Sequence, residues 1–195
     1  MRVRVAIFAF FAALLVGFGV TPASAAPPLP VVAIETNVGT ILLRIDTAHA
    51  PITAKNFLHL VDTGAYNGSS FYRTVSRRNE PGSAIEVIQG GLGDHAAPVT
   101  IPVEPTAKTG LHNTDGVISM ARTSDPNSAS SEFFICIGDN TFLDSQKYAD
   151  HFGYAAFGRV ISGYATVLRI NHASANVEQL TPPIQIIRVH RVHLR

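Results

Sequence analysis

Val31-Val32-Ala33-Ile34-Glu35-Thr36 and Thr40-Ile41-Leu42-Leu43-Arg44-Ile45 are two β-rich runs joined by Asn37-Val38-Gly39, whose Asn and Gly suit a tight turn with positive φ. The pair reads as a β-hairpin. Just upstream, Ala26-Pro27-Pro28-Leu29-Pro30 carries three prolines, which deny it helix and central-strand geometry. Residues 26–30 therefore read as an extended linker, and the folded domain is expected to cover residues 31–195.

Downstream of the hairpin, Pro51 sits where a first helical turn tolerates it, and Gly64 supplies a stop. Between them Ala54, Phe57, Leu58 and Val61 recur at helical spacing, so this segment is an amphipathic helix. Short β-type runs follow at Phe71–Val75, Ile85–Gln89, Val117–Met120, Phe133–Ile137 and Ala155–Val160, punctuated by Gly, Pro, Asn and Asp. A second helical pattern covers residues 163–171, with Tyr164, Val167 and Leu168 facing one way, ahead of a last strand at Ile184–Val192. Many strands with two helices predict an all-β domain closed into a barrel with capped ends. No internal repeat or low-complexity tract interrupts the pattern.

The first 25 residues differ in kind. Arg2 and Arg4 precede an uncharged apolar run from Val5 to Val20, and Thr21-Pro22-Ala23-Ser24-Ala25 offers small residues for a signal peptidase. This order predicts a signal peptide over residues 1–25, with cleavage after Ala25 and a periplasmic or secreted product. The apolar run falls short of the roughly 20 residues that cross a bilayer, so no stable membrane association is expected after cleavage. Without Arg2 and Arg4 the 15 Lys and Arg become 13, against 14 Asp and Glu, a net of −1 that argues against nucleic acid as a partner. The lone cysteine, Cys136, precludes an intramolecular disulfide and lies in an apolar run, where it reads as a small buried residue.

Four ordered blocks carry a resemblance. Phe71-Tyr72-Arg73-Thr74-Val75 leads to Val87-Ile88-Gln89-Gly90-Gly91. Gly116-Val117-Ile118-Ser119-Met120-Ala121-Arg122 leads through Asp125-Pro126-Asn127 to Ser131-Glu132-Phe133-Phe134-Ile135. Phe142-Leu143-Asp144 and Gly153-Tyr154-Ala155-Ala156-Phe157-Gly158-Arg159-Val160 complete the series. In order and spacing these resemble the cyclophilins over about Val31 to Val192. The resemblance implies a cyclophilin-like closed eight-stranded antiparallel barrel capped by two α-helices, with a substrate groove on its outer face. It further implies prolyl isomerase activity on proline-containing polypeptides, no cofactor, no metal, and a monomer.

An amide C–N bond resists rotation by about 18–20 kcal/mol because the nitrogen lone pair is delocalised into the carbonyl. A group that withdraws that lone pair lowers the barrier. A guanidinium is permanently charged and presents its donors in a rigid fork, so it can favour the twisted amide over the planar one. By the resemblance Arg73 has this role, and Gln89 orients it and bonds the substrate backbone. Val87, Phe134, Leu143 and Tyr154 line an apolar pocket for the proline ring, Ala121 and Arg122 border the groove with Ala121 pairing to the peptide backbone, and Phe142 completes the substrate-binding set. Phe133 and Phe134 alternate on a strand, so one faces inward and one outward.

The sequence departs from the family pattern at several points. An extra loop, residues 76–84, separates Val75 from Ile85 and is expected to alter the groove rim. Glu86 falls where many members carry a pocket phenylalanine and Val87 where many carry methionine, which predicts a shallower pocket or an alignment shifted by the loop. Glu132 stands for a glutamine, Arg122 for an asparagine, and Phe142 for the tryptophan of cyclosporin-sensitive members.

Glu86 and the added loop keep a second function class open, a peptide-binding chaperone that isomerises poorly. A hydrolase is excluded on motif grounds: neither Gly-x-Ser-x-Gly nor His-Glu-x-x-His occurs. His190 and His193, three apart on a strand, point to opposite faces and cannot share a metal.

Overall fold

The computed structural model describes residues 28–95 and 99–193, so the signal-peptide reading lies outside the described residues. Strands β1 (Val31–Thr36) and β2 (Gly39–Ile45) form the expected hairpin, with Thr36 paired to Gly39 across the turn. Gly39 has a φ of 140°, and a Cβ there would lie 2.4 Å from the Thr166 hydroxyl, so both backbone and space demand glycine. Immediately upstream, the Pro30 carbonyl accepts from the Ile45 N–H at 2.9 Å, which ties the end of the proline-rich stretch to β2.

Helix α1 (Pro51–Asp62) buries Ala54, Phe57, Leu58 and Val61, the four positions that its periodicity singled out. Its first turn has no cap from Ala50. Instead the buried carboxylate of Glu104 accepts from the N–H groups of Ile52 and Thr53, at 3.1 and 2.7 Å, and from the Thr53 hydroxyl at 2.6 Å. The sheet continues through β3 (Ser70–Val75), β4 (Val87–Gly91), β5 (Val117–Met120), β6 (Phe133–Cys136) and β7 (Ala156–Ser162). A four-residue helix α2 (Thr106–Thr109) lies before β5, too short to leave a periodic signature, and α3 (Tyr164–Asn171) follows β7. Strand β8 (Ala175–Asn176) turns back onto β9 (Gln179–Val192), which begins five residues earlier than the apolar pattern alone indicates.

Strand order is β1-β2-β7-β5-β6-β4-β3-β9, and β9 pairs again with β1, so eight antiparallel strands close into a barrel and β8 is an appendage on β9. Closure removes the free edges that would otherwise template aggregation. Inside sit Val32, Ile34, Ile41, Leu43, Phe71, Ile88, Ile118, Phe133, Ile135 and Phe157, sealed by Phe57 of α1 and by Val167 and Ile170 of α3. Tyr164 and Leu168 pack at the margin of this core rather than within it.

Burying one such side chain contributes about 1.5–3 kcal/mol, which fits a chain with no disulfide to hold it. Cys136 is fully buried, and burial pushes its thiol up, out of the reactive range. Among the described residues no helix is long and apolar enough to cross a membrane, and no cluster of three metal-ligating side chains occurs.

Candidate active site

Period-two alternation gives the barrel wall a second, outward apolar surface. On β3, Phe71 points in and Val75 points out; the outward Arg73 lies beyond a bulge at Tyr72, where Phe71 pairs with Gly90 and Arg73 with Gln89. The extra residue lets Tyr72 and Arg73 both reach the outer face. The register then sets two rows across β3, β4 and β6. Arg73, Gln89 and Phe134 form one row, and Val75, Val87 and Cys136 form the next. With strands about 4.8 Å apart, the Cα atoms of Arg73 and Phe134 lie about 10 Å apart, a gap that roughly three residues of extended peptide would cover.

The polar end of the first row is a hydrogen-bonded chain. Arg73 donates through Nη1 to Gln89 Oε1 at 2.7 Å and through Nε to Glu178 Oε2 at 2.6 Å. Gln89 Nε2 donates to the Tyr72 hydroxyl at 2.8 Å, which in turn donates to Glu132 Oε2 at 2.7 Å. The other Glu132 oxygen accepts from the Gly93 N–H at 3.0 Å. Gly91 makes room for this carboxylate, since a Cβ there would lie 2.5 Å from Glu132 Oε2. Burial, reinforced by Glu132, pushes the Tyr72 phenol up, so it stays protonated and can donate. Of the five N–H donors on a guanidinium, Arg73 spends two on Gln89 and Glu178, which leaves three for a ligand.

The apolar end is a dent built on Val75, Val87, Phe134, Cys136 and Leu143, with Ala121, Phe142 and Tyr154 packed against it. Leu143 and Phe142 come from the short 3-10 turn Thr141–Leu143. Tyr154 meets the Phe134 ring edge-on at 5.5 Å between centroids, and Tyr148 meets Tyr154 at 5.2 Å. Burial and the Tyr148 hydroxyl push the Tyr154 phenol up to about 12. All the apolar side chains assigned to substrate binding by resemblance therefore converge, on a surface separate from the barrel interior.

Ile85, not Glu86, supplies the neighbouring apolar side chain. Glu86 uses its backbone to pair with Ile137 and Asn140.

Two assigned residues are engaged with the protein itself. The Ala121 N–H donates to the Glu132 carbonyl at 2.8 Å, whereas no N–H among the described residues donates to the Ala121 carbonyl, so that carbonyl is the atom free to pair with a peptide. Arg122 has a side chain only 3% exposed. It donates to the carbonyls of Gly153 and Thr123, each at 2.9 Å, and to the Asp150 carboxylate, and its guanidinium lies 4.8 Å from the Tyr154 ring centroid. It braces the segment that carries Tyr148 and Tyr154 rather than presenting a free charge to the groove.

Tyr72, Tyr148 and Glu178 belong to the site without having been singled out from sequence. Only the bulge residue Tyr72 sits inside a recognised block; Glu178 arrives through the pairing of Arg73 with Gln179 across β3 and β9.

The closed barrel thus carries a tethered arginine beside an apolar dent on its outer wall, not in its lumen. Residues 31–191 match the family described as cyclophilin type peptidyl-prolyl cis-trans isomerase/CLD. Relatives include peptidyl-prolyl cis-trans isomerase A of Dickeya dadantii, 41% identical over 77% of this chain and 76% of the relative. The peptidyl-prolyl cis-trans isomerase of Acinetobacter baylyi is 37% identical over 81% and 83%, and isomerase B of Escherichia coli 36% over 71% and 82%. Among solved structures, a cyclophilin-type isomerase of Cryptosporidium parvum superposes with a TM-score of 0.71 at 22% identity, covering 86% of this chain and 99% of that one. A second structure of the same protein, determined in the presence of the dipeptide Ala-Pro, gives a TM-score of 0.69 at 24% identity over 85% and 99%. This chain belongs to the cyclophilin-type peptidyl-prolyl cis-trans isomerase family.

Proposed function

We propose that this protein rotates Xaa-Pro bonds in exported polypeptides, with Arg73 acting on the imide and the Phe134 dent holding the proline ring. Membership of an isomerase family supports the activity; the assignment of parts rests on the shared row of Arg73, Gln89 and Phe134. A proline ring seated on Val87, Phe134 and Leu143 leaves its nitrogen on the Arg73 side of the dent. As the amide twists, its nitrogen regains a lone pair, and the guanidinium donors stabilise that localised pair more than the planar amide. No proton transfer or covalent intermediate is needed. An apolar dent suits this step, because it grips the ring without bonds that must break at release.

The leader-type residues 1–25 support a site of action in the periplasm or outside the cell, where the protein assists the folding of exported chains as a monomer. The test is a refolding protein limited by an incorrect prolyl isomer, whose slow phase lasts about 10–100 s at 25 °C. Catalytic amounts should shorten that phase. An unchanged rate despite measurable binding of proline peptides would replace the isomerase with a peptide-binding chaperone.

A further inference from the structure

The guanidinium of Arg73 is gripped from two sides, and only one grip belongs to the recognised blocks. Gln89 holds Nη1 from the neighbouring strand; Glu178 holds Nε at 2.6 Å from the turn between β8 and β9. The backbone fixes where Glu178 stands. Arg73 pairs with Gln179, and the Thr74 N–H donates to the Glu178 carbonyl at 2.8 Å. The turn is secured in its own right by Asn79 of the added loop, which donates to the carbonyls of Thr74 and Val177.

Resting on the isomerase reading above, we propose that Glu178 is a positioning residue for Arg73, fixing the plane of its guanidinium so that the free donors point at the imide nitrogen. Two anchors on different atoms of one planar group leave it little freedom to rotate, whereas Gln89 alone would leave it free to swing about a single bond. Positioning of this kind affects the rate of the step more than the binding of the peptide, since the ring is held by the dent. The charged and titratable groups facing Glu178 are Arg73 and Glu80. The Glu80 carboxyl of the added loop is raised above its ordinary value by the neighbouring Glu178 carboxylate, while Arg73 holds Glu178 below its own.

The experiment measures kcat and KM by NMR exchange on an Ala-Pro peptide for wild type, Glu178→Ala, Glu178→Gln, Arg73→Ala and the Arg73→Ala/Glu178→Ala double variant, with melting temperatures as a check on folding. Glu178→Ala should lower kcat by about tenfold or more with KM within about twofold, the signature of a misplaced group. Glu178→Gln keeps an acceptor for Nε and should recover most of that loss. In the Arg73→Ala background, removing Glu178 should cost nothing further. An active wild type with Glu178→Ala at full kcat, or a Glu178→Ala loss that persists undiminished without Arg73, would overturn the proposal while leaving the isomerase reading intact. A wild type that does not catalyse exchange would take down both.

Discussion

Phe133 and Phe134 are adjacent in the chain yet bury in two different cores. Phe133 meets Tyr66, Phe71 and Phe57 edge-on at 5.5–5.7 Å inside the barrel, while Phe134 meets Tyr154 at 5.5 Å on the outer wall. Their substitution should separate stability from function. Phe133→Ala is expected to cost about 3–5 kcal/mol in urea unfolding with little change in kcat/KM for the fraction that remains folded. Phe134→Ala should lower kcat/KM by about tenfold to a hundredfold, as expected when one apolar contact of a pocket is deleted. Full activity in Phe134→Ala would remove the dent from the account.

Glu104 makes a second separation possible. Its carboxylate caps α1 from 51 residues away, so Glu104→Ala strands two N–H groups and a buried hydroxyl. Unfolding free energy should drop by about 2–3 kcal/mol, with isomerase activity unaffected at temperatures where the variant is folded. A drop below about 0.5 kcal/mol would mean that solvent replaces the cap.

Phe142 packs at the edge of the dent, and a phenyl ring offers no N–H donor. Cyclosporin should therefore inhibit weakly, and Phe142→Trp should tighten inhibition by about tenfold, the worth of one hydrogen bond. Nanomolar inhibition of the wild type would contradict this.

Stability should fall in acid. Arg73 holds Glu178 below the ordinary glutamate value, and Arg191 does the same for Asp62. At Asp150, burial acts to raise the value but is outweighed by the Phe152 and Gly153 N–H groups together with Arg122. Each lowered group contributes stability that is present above its unfolded pKa and lost as pH falls through its folded one. Glu80 runs the other way, its contribution being lost as pH rises through its raised value. Asp46 and Asp139 are lowered as well, so five carboxylates against one predict a lower urea midpoint at pH 3 than at pH 7. Equal midpoints would show that these contacts persist in the unfolded chain.

Much of this architecture is legible in the sequence because it rests on local rules. The β1–β2 hairpin follows from its turn chemistry, α1 from four apolar positions at helical spacing, and the split between Phe133 and Phe134 from alternation. The choice of Phe134 over Phe133 as the outward residue came from family resemblance, since alternation names no direction. What stayed hidden depends on register or on distance along the chain. The bulge at Tyr72 is an extra residue that no pattern announces. Ile85 packs against the dent at the point where the added loop rejoins the wall, a contact that no periodicity announces. Glu178 lies 105 residues from Arg73, and only the pairing of β3 with β9 brings them together.

The central claim is that the Arg73 guanidinium does the work on the rotating imide. Exchange NMR on a proline-containing peptide, with wild type and Arg73→Ala at equal concentration, tests it most directly. Wild type should bring the cis and trans signals into exchange, and Arg73→Ala should lose about two orders of magnitude in that rate while still binding the peptide. Equal exchange rates for the two proteins would contradict it.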